Sequence, residues 1–587
     1  MRIAPLLVLP LTALSVRTIL AQSSASTAAR DSALIATRDS LRIAARCDGR
    51  TVTAIDIDPE PPGIMGDSEP GWKRTLLSVA SQHVTTKTSV IRPFLLLEPG
   101  QPCTEFRRAE SERILRAQPF LAEAHVRAIP VGEHETRIEV RTVDEIPIVA
   151  GGEMRGSTIS AVTFGNSNVL GHGLYLTGNW RDGFAYRDGY GGRFVDYHTF
   201  GRPYRFSVSG QRDPHSTSFS TALGHEFLTN LQRSAWHLGY SDVTDYVSFR
   251  RPAGDNLSLN MDRQLWDVGG VGRIGLAGKR AFAGLLLTHE HAQPAHDGVI
   301  LSDSGLVADT NAALHDRFTG YESLRLSGVI GARLLSFMPV HGFDALTAEQ
   351  DMAKGAQLGM ILGRGLTYFG SSDRDNFASA DLYAGVGTPA SFLGLRVQGE
   401  GREDRTTKQW NGIVASGRLA WYLRPSMRQT IIASGEFSGA WRSLLPFQLA
   451  LGDAEGGVRG YGDAHLAGGQ RAVARLEDRW VLGHLTQWAG IGAAAFVDAG
   501  KVWAGDVPFG ETTAIKTSVG IGLLAAVPPT SQRLLRVDFA VPVSPAPGAK
   551  WQILLSVGNT ARMFWREPAD IARVRTGLPA SSIFSWP

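Results

Sequence analysis

Leu535-Arg-Val-Asp-Phe-Ala-Val541 alternates between apolar and polar side chains. In an extended strand its leucine, valines and phenylalanine therefore share one face, and Arg536 and Asp538 share the other. Three neighbouring runs repeat this pattern, with an uncharged apolar face opposite a face of glycine and polar residues. These runs are residues 491–498 (IGAAAFVD), 518–525 (SVGIGLLA) and 551–557 (WQILLSV).

Alternating runs of about ten residues, separated by Gly, Asp, Asn and Pro, continue from residue 155 to residue 565. A soluble β-sandwich would show the same alternation with its apolar face turned inward. Ten residues at about 3.3 Å each, tilted by some 45°, rise roughly 23 Å, which matches the apolar band of an outer-membrane barrel. Together with an export signal, this length favours a transmembrane antiparallel β-barrel over residues 155–565.

Composition excludes several other classes of protein. The chain has 587 residues, of which 43% are hydrophobic and 20% charged, so wholesale disorder is not expected. Its net charge of +3 gives no electrostatic footprint for nucleic acid. After the first segment no run of eighteen apolar residues occurs, so a protein that enters a membrane must do so as a closed barrel.

The N-terminal segment predicts export. Residues 1–21 combine Arg2, an apolar stretch and small residues near Ala21, as a signal peptide does. Residues 22–46 are expected to form a linker or a short helix. Export would allow a disulfide between Cys47 and Cys103, the only two cysteines, although two unpaired thiols remain the alternative. Two cysteines are too few for a multi-cysteine zinc module or an iron–sulfur site.

Residues 47–146 read as a small α/β domain. An alternating strand at 51–58 is followed by helical spacing through Trp72 and Ala80. A second helix is predicted from Thr104 to Ala117, and strands at 120–127 and 136–143 follow it. The expected order is strand, helix, helix, strand, strand.

Gly456-Gly-Val-Arg-Gly-Tyr461 resembles the V-R-G-F/Y signature of the BamA, TamA and FhaC-like outer-membrane assembly and secretion superfamily, also called the bacterial surface antigen family. Other pieces occur in the family's order. Arg475–Arg479 is similar to its Glu/Arg strand, Phe496-Val-Asp-Ala-Gly500 to its F-x-D-x-G strand, and Asn168–Gly173 to its first hairpin. The 47–146 domain resembles one periplasmic POTRA domain.

The resemblance implies a barrel of 16 strands whose signature loop, with Val458, Arg459, Gly460 and Tyr461, enters the lumen. In the superfamily the loop arginine meets carboxylates of the barrel wall, and alternation makes Glu477 and Asp498 the matching candidates. Arg479, Phe496 and Gly500 complete the barrel-wall motif. Asp478 departs from this pattern, because alternation directs it outward. Residues 566–587 are expected to form a C-terminal tail.

The function that the resemblance implies is insertion of β-barrel precursors into the bacterial outer membrane. A two-partner-secretion type of polypeptide translocator is the first alternative, and a passive porin or surface antigen is the second. Expected partners are unfolded outer-membrane or secreted polypeptides, outer-membrane lipid, and periplasmic chaperones or accessory lipoproteins. No nucleic acid, cofactor or metal is expected, and the protein is not expected to be an enzyme.

Two motifs compete with this interpretation. Gly270-Val-Gly-Arg-Ile-Gly275 matches the dinucleotide-binding fingerprint, but that motif requires a following helix and a strand-like run follows here. His289, Glu290, His291, His296 and Asp297 form a His/carboxylate cluster. A solvated loop is favoured over a metal site for this cluster.

Overall fold

A computed structural model describes residues 46–62, 84–155, 158–183, 186–275, 280–302, 305–311, 313–367, 374–452, 456–486, 488–559 and 567–575. The predicted signal peptide, almost all of residues 22–46 and the predicted helix around Trp72 lie outside these ranges. The described residues fall into two compact units. The first consists of the residues up to Ile57, Leu96–Glu112 and His125–Val140, and the second of Asp58–Leu95, Arg113–Ala124 and the chain from Arg141 onward.

A three-stranded sheet and short helices form from the N-terminal part of the chain. The sheet has the order β1-β3-β2, so β1 and β2 are its edges. Side chains of β3 alternate between buried and exposed, as the sequence predicts. The elements are β1 (Thr51–Glu60), α1 (Thr88–Ile91), a 3-10 turn (Arg92–Phe94), α2 (Glu105–Arg116), β2 (Leu121–Pro130) and β3 (Glu135–Asp144).

The rest of the chain forms a closed antiparallel barrel. Its first six strands are short, and 3-10 turns at Val169–Gly171 and Thr199–Gly201 connect two of the hairpins. These strands are β4 (Ile148–Arg155), β5 (Thr158–Asn166), β6 (Leu174–Arg181), β7 (Gly189–Asp196), β8 (Arg205–Arg212) and β9 (Thr217–His225).

Longer strands make up the opposite side of the barrel. The exceptions are β13 and β14, a small hairpin whose flanking strands β12 and β15 pair directly with each other. The strands are β10 (Ser234–Phe249), β11 (Leu257–Ile274), β12 (Arg280–Pro294), β13 (Gly298–Ser302), β14 (Gly305–Asp309), β15 (Tyr321–His341), β16 (Glu349–Gly365), β17 (Asp375–Thr388), β18 (Ser391–Asp404), β19 (Trp410–Ser426) and β20 (Gln429–Trp441).

A long insertion after β20 carries its own two-stranded sheet, β21 (Leu449–Ala450) with β22 (Ala467–Gly468). Five more strands then complete the barrel, and a helix of six residues, α3 (Ala569–Val574), follows the last of them. The strands are β23 (Gln470–Thr486), β24 (Ala489–Trp503), β25 (Lys516–Ala526), β26 (Arg533–Pro542) and β27 (Gln552–Asn559). No helix among the described residues is long and apolar enough to cross a bilayer.

Two details of the barrel differ from the sequence-based expectation. The described part of the closed sheet contains 22 strands rather than 16. The barrel also begins at Ile148 rather than near residue 155, because β4 is the neighbour that closes the ring with β27. Alternation did not reveal β4, since Gly151 and Gly152 interrupt its pattern.

Alternation along the strands separates an apolar outer face from a polar interior. In β25 and β26 the outward residues Ile521 and Val537 are 64% and 38% exposed, while the inward Arg536 is 1% exposed. A buried arginine opposite an exposed isoleucine reverses the usual pattern of a soluble sheet. The buried charged side chains of these strands therefore lie on the inner face of the barrel.

Candidate functional site

The described residues between β20 and β23, 442–452 and 456–469, fold into the interior of the barrel and bring the V-R-G-Y signature with them. Val458 and Tyr461 are fully buried in an apolar cluster that includes Val473 and Val502 of the barrel wall. Gly460 has a φ of 89°, a conformation that glycine adopts without strain, and its N–H donates to Gln552 Oε1 at 2.9 Å. The turn at Gly460 thereby directs the neighbouring Arg459 toward the wall.

The Arg459 guanidinium is held by carboxylates from two strands. It donates from Nε and Nη2 to the two oxygens of Asp498, at 2.7 and 2.8 Å, and from Nη1 to Asp538 Oδ2 at 2.9 Å. Glu477 Oε2 lies 3.7 Å from Nη1, and the Phe496 ring stacks 3.3 Å from the guanidinium carbon. This bidentate, stacked arrangement uses the planar geometry that distinguishes arginine from lysine.

Burial alone would lower the pKa of Arg459, but its hydrogen bond to Asp498 and the charges of Asp498 and Glu477 raise it above the ordinary value. The group therefore stays charged at any physiological pH. A buried guanidinium without these partners would cost several kcal/mol. The seated loop consequently depends on the carboxylates of the wall.

A second arginine links these carboxylates to each other. Arg536 donates from Nη1 and Nη2 to the two oxygens of Glu477, at 2.8 and 2.7 Å. Its Nε lies 2.8 and 2.7 Å from the two oxygens of Asp538. Glu477 and Asp538 are thus each shared between Arg536 and Arg459.

Arg479 extends this network toward another inward-folded segment. Its Nε donates to Glu477, and its Nη1 donates to the carbonyl oxygens of Phe343 and Asp344 at 3.2 and 3.0 Å. Those two residues belong to the turn at 342–348, between β15 and β16. We define the lumen network as three arginines and three acids: Arg459, Arg479, Arg536, Glu477, Asp498 and Asp538.

Glycines in the wall make room for the loop and the network. A Cβ added to Gly500 would lie 2.5 Å from Val458 Cγ2, and one added to Gly522 would lie 2.3 Å from Asp538 Oδ1. At Gly520 the added atom would meet the Phe496 ring at 2.3 Å. Real Cβ atoms do not approach neighbours so closely, so a side chain at any of these positions would force its neighbours to shift. Gly500 is the last residue of the F-x-D-x-G motif.

The structure places the residues predicted from the sequence as follows. Arg459 and Asp498 are in direct contact, whereas Glu477 lies further away and pairs mainly with Arg536. Sequence reasoning missed Arg536 and Asp538 as members of the network, although their inward alternation in β26 was visible. To predict that these two residues meet Arg459, one would have had to know how deeply the signature loop enters the barrel.

Asp478 points outward, as alternation predicts, and the structure explains how it is accommodated. Gln429, the first residue of β20, lies with its Nε2 3.0 and 2.9 Å from the two oxygens of Asp478. Gln429 is the first residue of β20, whereas Asp478 lies at the centre of β23. The Gln429 amide therefore satisfies both oxygens of an outward-facing carboxylate on the neighbouring strand.

Cys47 and Cys103 are joined by a disulfide in the first unit. The His/carboxylate cluster predicted as a solvated loop is dispersed, and the loop prediction is wrong for His289, Glu290 and His291, which lie in β12. Glu290 is buried in the barrel interior, where it pairs with Arg263 at 2.8 Å and with Arg402 at 2.5 Å. His296 instead pairs with Asp316 on the surface, at 2.6 Å. In the parts of the chain that the structure describes, no three His, Cys, Asp or Glu side chains are grouped as a metal site.

Comparison with known proteins identifies one segment at family level. Residues 451–560 match the model of the Omp85 superfamily domain. No curated protein sequence matches the chain. The matched segment runs from the start of the signature loop through β27 and contains Arg459, Glu477, Asp498, Arg536 and Asp538.

Solved structures with a related course of the chain include BamA from Haemophilus ducreyi lacking POTRA domains 1–3 and CdiB from two bacteria. The BamA structure is 12% identical, covers 87% of this chain and 85% of its own, and has a TM-score of 0.37. CdiB from Escherichia coli is 14% identical, with coverages of 87% and 76% and a TM-score of 0.42. CdiB from Acinetobacter baumannii is 11% identical, with coverages of 87% and 74% and a TM-score of 0.35.

The signature loop, the carboxylates that hold its arginine and the glycine-lined wall behind them all lie within the stretch that the family model matches. The chain thus carries an Omp85 superfamily domain at residues 451–560, as its V-R-G-Y and F-x-D-x-G motifs predict.

Proposed function

We propose that this protein is an outer-membrane barrel that inserts β-barrel precursors into the bacterial outer membrane. The observation that carries the proposal is the Arg459 loop, bound inside the barrel by Asp498 and Asp538 within the Omp85 superfamily segment. A loop held by buried charges closes the interior without a covalent bond. Substrate therefore does not pass through a free pore.

The outer face supports placement in a membrane. Large apolar residues on the outer face of β25, β26 and β27 are 37 to 66% exposed, with Leu523 and Leu555 among the most exposed. An exposed apolar surface of this extent is costly in water and is favoured in lipid. A closed barrel also leaves no unpaired strand edge in the bilayer.

Residues 47–146 would serve as a periplasmic POTRA domain. The β1-β3-β2 order leaves two strand edges, at β1 and β2, to which an extended polypeptide could add as a further strand. Main-chain hydrogen bonds would supply most of that affinity, so binding would tolerate many sequences. Precursors of different barrels share exactly this extended, strand-forming character, which suits one receptor for many substrates.

The junction of β4 and β27 is the place in the wall that would part most easily. Each strand has eight residues, against 21 in β15 on the longer side of the barrel. Two strands of this length can form fewer hydrogen bonds with each other than the long strands of the opposite side can. A precursor strand could pair with a freed edge there and be released into lipid as it folds, with no nucleotide needed.

The alternatives differ in what they predict. A polypeptide translocator would export one partner protein through the interior, and it remains the second candidate within the same superfamily. A passive porin is disfavoured because the signature loop and the C-terminal segment Glu567–Arg575 both occupy the interior. A porin would show steady ion conductance in planar bilayers.

Comparison of cells with and without the gene tests the proposal. We expect loss of the protein to lower the abundance of many barrel proteins in the outer membrane, measured by quantitative proteomics of isolated membranes. Loss of a single secreted protein, with the barrel proteins unchanged, would instead identify a translocator. If neither the outer-membrane proteins nor the secreted proteins changed, both functions would be excluded.

A further inference from the structure

Residues 567–575 (EPADIARVR), which we call the C-terminal segment, lie inside the barrel and contain α3. They contact inward-facing side chains from five strands distributed around the wall. These contacts are with Asp245 of β10, Arg263 of β11, Glu400 of β18, Ser416 of β19 and Arg471 of β23.

One face of α3 is an apolar anchor. Ile571 and Val574, three residues apart and therefore on the same side of the helix, are 0% and 4% exposed. Both belong to a buried cluster formed by barrel strands and the signature loop. Its other members are Met261, Ala292, Tyr321, Val414, Ala440, Leu445, Phe447 and Leu449.

A buried cation follows the apolar anchor. Arg575 donates from Nε to Glu567 Oε2 at 2.7 Å and from Nη1 to Glu400 Oε2 at 3.2 Å, and its Nη2 lies 3.3 Å from Ser416 Oγ. Arg263 donates from the wall to the carbonyl oxygen of Arg575. The wall therefore binds both the side chain and the backbone of this residue.

The start of the segment contacts the signature loop. Asp570 pairs with Arg471, with 2.7 Å between Oδ2 and Nη1, and Arg471 in turn donates to the Ala450 carbonyl of the insertion. A Cβ built on Gly456 would lie 2.9 Å from Pro568 Cβ. The C-terminal segment thus lies directly against the loop that carries Arg459.

None of the described residues of the C-terminal segment belongs to a strand, so its departure would break no hydrogen bond of the barrel wall. Its seat would then expose an apolar cluster beside the Glu400 carboxylate. We propose that this seat is a peptide-binding site in the barrel interior. The chain's own C-terminal segment occupies it as a resident ligand, and an entering polypeptide of similar chemistry displaces it. This inference rests on the proposed function for the identity of that polypeptide.

The seat defines the chemistry of its ligand. A matching segment carries two apolar side chains three residues apart, followed closely by an arginine, and binds as a short amphipathic helix in a groove. The acidic Glu400 favours the cation, and Arg471 favours an acidic residue just before the apolar pair. Strongly acidic or wholly polar segments do not fit.

A synthetic, fluorescently labelled peptide with the sequence of residues 567–575 tests the site on the full-length protein in detergent. The comparison is between wild type and the double variant Ile571→Asp/Arg575→Ala, which weakens the resident ligand and leaves the wall unchanged. We expect the peptide to bind the variant at least about tenfold more tightly. A tethered competitor acts at an effective concentration on the order of millimolar, and the substitutions remove it.

A disulfide lock provides the second measurement. A Cβ built on Gly456 lies 2.9 Å from Pro568 Cβ and 2.3 Å from Arg471 Nη2. A disulfide in Gly456→Cys/Pro568→Cys, with its Cβ atoms about 3.5–4.5 Å apart, therefore needs a small shift of the segment and of that guanidinium, and Pro568→Cys alone is the matched control. Oxidised, the double variant should not bind the peptide, and reduction should restore wild-type binding. Heat-modifiable electrophoretic mobility checks that each variant is a folded barrel.

Failure of the peptide to bind the Ile571→Asp/Arg575→Ala variant would overturn the proposal. Equal binding to the oxidised and reduced lock would overturn it as well, as would equal binding of a control peptide with aspartate in place of Ile571. The peptide-binding measurements do not require the protein to insert precursors. Normal peptide binding with an unchanged outer-membrane proteome in deletion cells would therefore refute the proposed function and leave the binding site intact.

Discussion

Arg459 illustrates how one side chain depends on an enclosed setting. Its charge is neutralised by Asp498 and Asp538, and its face is covered by Phe496. Removing one member of a buried pair leaves its partners uncompensated, which typically costs about 3–5 kcal/mol. The loop rather than the barrel should bear this cost, because strand pairing does not involve the Arg459 side chain.

We therefore expect Arg459→Ala to leave the protein inserted in the membrane while its loop becomes accessible to protease and its activity falls. Limited proteolysis and complementation of depleted cells measure the two effects. Arg442→Ala is the control, since the side chain of that arginine in the same insertion makes one long hydrogen bond among the described residues, to the Trp410 carbonyl at 3.5 Å. Wild-type activity of Arg459→Ala would contradict a role for the lumen network.

Gly500→Ala is expected to unseat the same loop by a different route. The new methyl group would meet Val458 Cγ2 at 2.5 Å, and overpacking of this kind typically costs about 1–3 kcal/mol. Protease sensitivity of the loop should therefore rise, and Val458→Ala in the same chain should partly reverse it. Gly435→Ala on β20, two strands away, where an added Cβ meets nothing within 4 Å, should have no effect.

At the scale of elements, the strands with strict alternation were the easiest to predict. The runs at 518–525 and 535–541 coincide with β25 and β26, and the predicted helix at 104–117 coincides with α2. The insertion was harder, because its local sequence does not indicate that Val458 packs against Val502 in the barrel wall. The C-terminal segment was predicted only as a tail. Six helical residues carry too little periodicity to reveal a buried face.

The C-terminal segment should become mobile in acid. Burial would raise the pKa of Glu567, but the hydrogen bond and charge of Arg575, a hydrogen bond from Ser416 and the charge of Arg418 outweigh burial and lower it. A carboxyl whose pKa is lowered by folding stabilises the seated segment above the ordinary Glu pKa of about 4.3. That stabilisation is lost as pH falls through the lowered value.

A spin label at Pro568→Cys measures this transition. We expect an immobilised spectrum at pH 7 and a progressively mobile one below pH of about 4. The same label in a Glu567→Gln background should already be mobile at pH 7 and show little further change in acid. Identical spectra of the two proteins at pH 7 would show that the Glu567–Arg575 pair does not hold the segment.

For the whole molecule, the sequence was sufficient to predict a barrel but not its strand number. Alternation distinguishes the two faces of each strand, as Ile521 outside and Arg536 inside illustrate. It does not distinguish a hairpin in the wall from one at the rim, as at β13 and β14, and glycines hide β4. The expected number of 16 strands came from the family resemblance alone. The number of strands in this closed sheet is set by its own sequence.

Ile521→Lys tests whether the apolar face meets lipid. Ile521 lies in the middle of β25 and Ile515 lies just before it, yet each is 64% exposed. In a bilayer we expect Ile521→Lys to lower the free energy of unfolding by about 2–4 kcal/mol and Ile515→Lys by about 0–1 kcal/mol. Urea titration in lipid vesicles, followed by electrophoretic mobility, measures both. Equal values for the two variants would argue against a membrane-facing surface.

The lumen network also has a consequence for the order in which the chain matures. Its acids and bases are distributed from Arg459 to Asp538, on a loop and on β23, β24 and β26. A nascent chain that stops before β26 lacks Arg536 and Asp538, so Glu477 lacks one of its arginines and Arg459 lacks one of its acids. The signature loop can settle fully only after synthesis has passed residue 538, which makes its seating an internal signal that β26 has been made.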